Sequence, residues 1–186
     1  MKRVGFGIAL TLALALPAGA STFIEMSREE LVEQADAVVA GRVVEVKSFW
    51  NRQGTAILTE AVIEVEDSIL GKTASRVKVR TFGGEVGKHR IMAIGFPTFE
   101  RNEKLLLFLE PEQDGAYKVL GYLQGEFRIR TDGRGHETAV PTWEMDTVRI
   151  LKADGTPARV PRAVPFEDLK RQIRETADRV GRPQAQ

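Results

Sequence analysis

The sequence predicts a small, mainly β protein: a Greek-key barrel of five to seven strands, with a short helix before it and an amphipathic helix after it. Three observations predict this class. Between residues 37 and 142, short β-type stretches alternate with glycine-containing turns. In the first stretch, the alternation of apolar and polar residues is interrupted at a glycine. Strongly bent barrel strands require such an interruption. A chain of 186 residues suits one domain. A β-sandwich is the competing architecture.

The N-terminal residues show the features of a cleavable signal peptide in the usual order. Basic residues at 2–3 precede an uncharged apolar run at 4–16, and small residues follow at Ala18 and Ala20. A membrane-spanning helix needs about 20 apolar residues, which this run does not reach. We therefore predict cleavage after Ala20, a mature chain beginning at Ser21, and a secreted or periplasmic location.

Cleavage changes the charge of the chain. Loss of Lys2 and Arg3 reduces 27 basic residues to 25, against 26 acidic ones, a formal charge of −1. Such a balance predicts neither a nucleic-acid partner nor an anionic membrane surface. The sequence has no cysteine, so no disulfide supports the fold. No later segment is apolar for long enough to span a membrane, and we expect no stable membrane insertion after cleavage.

The mature chain opens with a lead-in at 21–26, read as an edge strand. Ser27 and Glu30 then form a capping-box pattern, which predicts a helix over 28–36. The first barrel strand follows at 37–46, and its alternation slips around Gly41. A glycine at such a slip predicts a bulge or a sharp bend.

The next two strands predict a ladder of opposite charges. The strand at 55–67 turns its apolar residues inward, and the strand at 76–82 does the same. The outward residues are acidic on the first strand and basic on the second: Glu60, Glu64 and Glu66 against Arg76, Lys78 and Arg80. Pairs of this kind contribute roughly 0.2–1 kcal/mol each. The ladder explains both sets of charges structurally.

Residues 83–103 contain four glycines and predict a long irregular excursion, with a short strand at 89–94. Further strands are predicted at 105–109, 116–123, 126–131 and 137–142. The first of these is continuously apolar, which predicts that it is covered on both faces.

The C-terminal part predicts a helix packed on the barrel. The barrel domain is assigned to 21–150, and a linker with the helix to 151–180. Phe166, Leu169, Ile173 and Ala177 share one face of a helix over 166–179. The tail at 181–186 is predicted to be disordered.

No catalytic or metal-binding pattern stands out. His89 and His136 lie in separate glycine-rich loops without metal-ligand spacing. The glycine-rich stretch 83–88 lacks the register of a phosphate-binding loop. We predict a protein that is not an enzyme and carries neither metal nor cofactor. Phe49 and Trp50 end the first strand, where aromatic rings either stack on sugars or close a barrel.

Two stretches carry a resemblance to a known family. QADAVVAGRV at 34–43 and the strand ending ILGK at 69–72 resemble the inhibitory domain of tissue inhibitors of metalloproteinases, a netrin-like barrel of the OB-fold type. The later strands follow in similar order, so the resemblance covers roughly residues 31–131. The chain also resembles small exported bacterial proteins with an A-D-x-V-V-x-G-x-V opening and no assigned function.

The resemblance implies a role for the new N-terminus. In the animal inhibitors, the amine and carbonyl of the N-terminal cysteine bind the catalytic zinc of the protease. Ser21 would occupy this position here, with Thr22 beside it. Those inhibitors anchor the terminus with disulfides, which this chain lacks. A loose terminus must be ordered on binding, which reduces affinity.

We therefore predict an exported, non-catalytic binding module with an unknown protein partner, for which the resemblance suggests a secreted zinc metalloprotease. The residues predicted to contact the partner are Ser21, Thr22, Phe49 and Trp50. One alternative is a barrel that binds cell-wall polymers or glycans, with Trp50, Phe49 or Tyr122 as stacking platforms. Another is a structural envelope protein without a small-molecule site.

Overall fold

The computed structural model describes residues 21–143 and 148–182. The predicted signal peptide, with Ala18 and Ala20, lies outside the described residues, as do positions 183–186 of the predicted tail. Of the described residues, 47% are in strands and 17% in helices, which confirms the mainly β class. None of the helices in the described ranges combines the length and apolar character that a membrane span requires.

The N-terminal part contains strand β1 (Ser21–Ile24) and helix α1 (Arg28–Gln34). The capping box is present in both directions. The Glu30 backbone N–H donates to Ser27 Oγ at 3.2 Å, and the Ser27 N–H donates to a Glu30 carboxylate oxygen at 2.7 Å. The helix ends two residues before the predicted boundary, because Ala35 already has extended backbone angles.

Strands β2 (Ala37–Trp50), β3 (Ile57–Leu70) and β4 (Arg76–Phe82) form an antiparallel meander. The predicted irregularity in β2 is confirmed, because the register with β3 shifts between Ala40 and Gly41. A Cβ on Gly41 would lie 2.2 Å from the Glu64 carbonyl oxygen. Glycine therefore permits the close backbone approach at this bend.

The remaining elements are short and mostly extended. They are β5 (Gly84–Val86), β6 (His89–Ile91), β7 (Lys104–Pro111), β8 (Tyr117–Val119), β9 (Glu126–Thr131), β10 (Glu137–Pro141), β11 (Val148–Leu151), β12 (Val164–Pro165) and helix α2 (Phe166–Arg179). Short 3₁₀ turns occupy 113–115 and 122–125. The strand predicted at 116–123 is reduced to three residues, because Gly121 and Tyr122 both have left-handed backbone angles.

Five strands close into a barrel. In the order β7-β2-β3-β4-β8, each strand pairs with the next, and β8 returns to β7. All pairs are antiparallel except β4 with β8, which is parallel at Val79 and Tyr117. β9, β10 and β12 extend the sheet from β7. The closed ring confirms a small β-barrel rather than a sandwich, compatible with an OB-like barrel.

Two cores occupy the two sides of the barrel wall. Alternate residues of the ring strands, including Val39, Ile63 and Leu107, fill the interior. The other face of β2 and β7, with Val38 and Phe108, packs under α1 and α2. Residues 105–109 are buried throughout, which confirms that this strand is covered on both faces.

Helix α2 lies over the outer core as predicted. Phe166, Leu169, Ile173 and Ala177 are all buried. Beyond the helix, the Arg182 guanidinium donates to the carbonyls of Glu33 and Ala35 at the end of α1. The chain therefore returns to the N-terminal helix at its last described residue.

Candidate binding surface beside the N-terminal strand

Strand β1 lies alongside β11 in a separate parallel pair. Ser21 is in register with Val148, and Ile24 with Leu151. The Glu25 backbone N–H extends this pair by donating to the Leu151 carbonyl at 2.7 Å. The predicted N-terminal residue is thus held in a strand.

Gln124 binds the other edge of this segment. Its Nε2 donates to the Ile24 carbonyl at 2.9 Å, and its Oε1 accepts from the Met26 backbone N–H at 2.8 Å. The side chain is buried, and both halves of its amide are used. The amide therefore anchors the segment that joins β1 to α1.

Four aromatic residues form a continuous surface next to β1. We call Phe23, Phe82, Phe96 and Tyr122 the aromatic rim. Ring centroids are 5.1 Å apart for Phe23 and Tyr122, 4.9 Å for Tyr122 and Phe96, and 5.8 Å for Phe96 and Phe82. These separations are those of favourable aromatic pairs. Tyr122 and Phe82 remain 44% and 42% exposed, so part of the rim faces solvent.

Local backbone geometry places two of these rings. Gly95 has φ +87°, and a Cβ there would lie 2.3 Å from the Phe23 ring, so glycine permits the close approach of this ring to the chain. Tyr122 has φ +58°, a left-handed conformation that is unusual for a bulky residue. Strained backbone of this kind concentrates at functional sites. In this conformation Tyr122 remains 44% exposed.

A flap covers the barrel next to the rim. We define the flap as residues 83–103, which include the β5–β6 hairpin. Thr59 Oγ1 donates to the Gly83 carbonyl at 2.7 Å, and Thr81 Oγ1 donates to the Pro97 carbonyl at 2.9 Å. The sequence predicted this excursion as irregular. Two buried threonines of the barrel therefore hold the flap at its first residue and at Pro97.

Two cavities adjoin the aromatic rim. The larger, of about 570 Å³, lies between the flap and the strands β2, β3, β4 and β9. The smaller, of about 460 Å³, lies beside β4, β7 and β8. Phe82, Phe96 and Pro97 line both, so the rim separates them. Val148, the register partner of Ser21, lines the larger cavity.

Arg80 organises the charged side of the smaller cavity. Its guanidinium contacts Glu60 at 2.9 Å, Asp114 at 3.3 Å and Glu112 at 3.4 Å. Burial disfavours the charge of Arg80, but hydrogen bonds to Glu60 and Asp114 and their negative charges more than compensate, so the pKa of Arg80 is raised. The predicted charge ladder between β3 and β4 includes the Arg80–Glu60 contact and the Arg76–Glu64 pair at 3.0 Å.

The four residues predicted to bind a partner fall into two places. Ser21 and Thr22 lie in β1, with Thr22 exposed. Trp50 is 37% exposed and packs edge-on against His89 at 5.4 Å. Phe49 is half-buried, and the Arg80 guanidinium covers its ring at 5.8 Å. Neither Phe49 nor Trp50 lines the two cavities that adjoin the rim.

Sequence reasoning missed most of the rim. Phe23, Phe96 and Gln124 carried no local signal, because their partners lie far away in the chain. Tyr122 was named only as a platform for sugars. Its position directly after Gly121 was the available signal, because a glycine within an apparent strand marks a bend.

Within the described residues, no group of three or more His, Cys, Asp or Glu side chains is placed to hold a metal ion. His136 sits at the β9–β10 turn, 3.2 Å from Asp132. His89 lies in the flap against Trp50. The described surface combines exposed aromatic rings, two cavities and an N-terminal strand paired with β11. No family model matches the chain, and no curated protein matches it.

Proposed function

We propose that the protein is an exported, non-catalytic binding module of the netrin-like type, which holds another protein at the aromatic rim. The observation that carries the proposal is the contact of the N-terminal strand with the rim through Phe23 and Tyr122. The flap adds two exposed apolar residues, Met92 and Ile94, which line the larger cavity together with the rim. Aromatic and methionine side chains are enriched at protein interfaces, and clustered apolar exposure marks them.

The resemblance to the animal inhibitors suggests a secreted zinc metalloprotease as the partner. The amine and carbonyl of Ser21 would approach the catalytic zinc, while the rim contacts the protease surface. The ordering of β1 by Gln124 supports this arrangement, because an ordered terminus loses less entropy on binding.

The test uses a purified matrixin-type zinc protease and the chain beginning at Ser21. The protein should inhibit the protease, and one alanine added before Ser21 should raise the inhibition constant by about tenfold or more. Equal inhibition by the two forms would contradict zinc binding by Ser21. Absence of binding by both would contradict this class of partner.

A matched pair of variants tests whether the partner binds at the rim or at Trp50, an exposed aromatic residue outside the rim. Tyr122→Ser removes a rim ring, whereas Trp50→Ser removes a ring outside both cavities. We expect Tyr122→Ser to weaken protease binding and Trp50→Ser to leave it unchanged. The reverse pattern would contradict the rim as the docking surface.

The exposure of Trp50 favours a second candidate function, a barrel that binds glycans or cell-wall polymers. An exposed indole face can stack on a sugar ring. In that case Trp50→Ala abolishes pull-down by wall polymers, and Tyr122→Ser does not. Retention of the Trp50→Ala variant on the polymers would reject this candidate.

A further inference from the structure

Three hydroxyl groups form a row across adjacent strands at the wall of the larger cavity. Ser48 on β2 is in register with Thr59 on β3, and Thr59 is in register with Thr81 on β4. All three residues line the cavity. Thr59 and Thr81 are buried, and Ser48 is half-buried. We call these three residues the hydroxyl row.

The hydrogen atoms of the hydroxyl row are all bonded to protein oxygens. Thr59 Oγ1 donates to the Gly83 carbonyl at 2.7 Å, and Thr81 Oγ1 donates to the Pro97 carbonyl at 2.9 Å. Ser48 Oγ lies 2.8 Å from Thr59 Oγ1. Because a hydroxyl group has one hydrogen and that of Thr59 is already used, Ser48 must donate in this pair. The row therefore has no hydrogen left to donate to a ligand.

The hydroxyl row can still accept hydrogen bonds, because each hydroxyl oxygen has two lone pairs. In the described part of the chain, no donor is directed at Ser48 Oγ or at Thr81 Oγ1. A ligand can therefore form hydrogen bonds with the row only as a donor. Hydroxyl oxygens carry no full charge, and burial of an ion without a countercharge is costly. The donor that suits the row is an uncharged O–H or N–H group.

The basic groups of the cavity lining are already paired with acids of the protein. Arg90 contacts Glu85 at 3.4 Å, and Arg128 contacts Glu103 at 3.4 Å and Glu126 at 3.8 Å. An anion or a strong acceptor on a ligand would compete with these carboxylates for the two guanidinium groups. The pairing therefore also favours a ligand that donates.

The remaining walls of the cavity are largely apolar. They include Val46, Met92, Ile94, Phe96, Phe99 and Leu123. The volume of about 570 Å³ lies within the range of small-molecule sites, which combine apolar walls with a few placed polar groups. Such walls favour a compact apolar body next to the donor group.

We propose that the larger cavity binds a small, uncharged molecule with an apolar body and one hydroxyl or N–H donor, and that the hydroxyl row accepts from this donor. A phenol is a simple ligand of this class. The site lies between the flap and the strands and needs no protein partner, so the inference does not depend on the proposed function. The same phenol group occurs in a free molecule and in a tyrosine side chain, and the experiment includes both.

The first experiment compares two ligands of nearly the same shape. 4-Methylphenol and 4-fluorotoluene are titrated into the protein beginning at Ser21 and followed by calorimetry. 4-Methylphenol should bind about fivefold more tightly, because it adds a hydrogen bond to the hydroxyl row. Equal affinities, or tighter binding of 4-fluorotoluene, would overturn the proposal.

Three further ligands test the charge of the ligand and the source of the phenol group. 4-Methylbenzoate and 4-methylbenzylamine are charged at neutral pH and should both bind more weakly than 4-methylphenol. Tighter binding of either would overturn an uncharged ligand. Acetyl-tyrosine amide carries the phenol on a peptide unit and should bind no more tightly than 4-methylphenol. Tighter binding of this peptide would overturn a free small molecule as the ligand.

Variants locate the site. The double variant Ser48→Ala/Thr81→Val removes the two free acceptors and should abolish the preference for 4-methylphenol over 4-fluorotoluene. The control is Ser75→Ala/Thr131→Ala, which removes two exposed hydroxyls outside both cavities and should keep the preference. Ala93→Phe should exclude both ligands by filling the cavity. If the first double variant fails to fold, Ala93→Phe still decides, because unchanged affinity for 4-methylphenol in that variant overturns the location.

Discussion

Gln124 holds the N-terminal segment with both ends of its amide. Replacement by alanine leaves the Ile24 carbonyl and the Met26 N–H without these partners. We expect Gln124→Ala to lower the free energy of unfolding by about 1–3 kcal/mol. Hydrogen exchange should also accelerate in residues 22–26.

The control for this prediction is Gln53→Ala, which removes an exposed glutamine in the β2–β3 turn. It should change stability by no more than about 0.5 kcal/mol and leave exchange in β1 unaltered. Unchanged exchange in β1 of the Gln124→Ala protein would show that Gln124 does not anchor the segment.

A second prediction concerns the effect of Gly41→Ala on stability. Its substitution by alanine places a Cβ 2.2 Å from the Glu64 carbonyl, so β2 and β3 must separate at the bulge. The expected loss is about 1–3 kcal/mol, measured by urea unfolding. Gly133→Ala is the matched control, since no atom lies within 4 Å of a Cβ there. Equal effects of the two substitutions would contradict the close approach.

These two residues differ in how far sequence can predict them. Gly41 interrupts an alternating strand, and this local signal predicted the bulge. Gln124 acts on residues about 100 positions earlier in the chain. No local pattern encodes that distance, so the amide that anchors the N-terminus could not be predicted.

Helix α2 is stabilised mainly by its buried face. Ile173 is fully buried in the outer core, whereas Glu175 on the same helix is exposed. We expect Ile173→Ala to destabilise the protein by about 2–5 kcal/mol, from lost burial and the cavity created. Glu175→Ala should change stability by no more than about 0.5 kcal/mol. Similar losses in both variants, measured by urea unfolding, would contradict docking by this face.

Asp132 in the β9–β10 turn leads to a prediction about how stability depends on pH. Backbone N–H groups of His136 and Arg134 donate to Asp132 and lower the pKa of its carboxyl below the ordinary 3.8. A group with a lowered folded-state pKa stabilises the protein above its ordinary pKa. That contribution disappears as the pH falls through the folded-state value.

We therefore expect the stability difference between the wild type and Asp132→Asn to shrink as the pH falls from about 5 to about 2. Urea unfolding at a series of pH values measures this difference. A stability difference that stays constant over this pH range would contradict stabilisation of the ionised Asp132 carboxyl group by the turn.

The elements themselves were largely predictable. The alternation of β3 and β4 and the apolar face of α2 are local and periodic. The strand predicted at 116–123 was too long, because Gly121 and Tyr122 leave the extended region. The parallel pairing of β1 with β11 joins segments at opposite ends of the chain, and no turn between them signals it.

At the scale of the molecule, the sequence predicted the barrel but not its aromatic rim. The ring of five strands follows from alternation and from the bend at Gly41. The aromatic rim joins Phe23, Phe82, Phe96 and Tyr122, which come from four separate segments. The cavities depend on how the flap folds back over the strands, and only long-range contacts determine this.

The whole molecule thus has a helix-covered face and a face with exposed aromatic rings. Helices α1 and α2 cover the outer core. Met92 of the flap and Tyr122 of the rim remain accessible. Because only the face with the aromatic rim is free of covering helices, we propose that the partner binds there.

Site-specific photocrosslinking in cells that produce the protein tests this proposal most directly. A photoreactive phenylalanine analogue is placed at 92 or 122 on the rim side, and at 134 or 175 as exposed controls. The account predicts one discrete adduct of higher mass from positions 92 and 122 and none from the controls. Adducts from the control positions alone, or equally from all four, would contradict it.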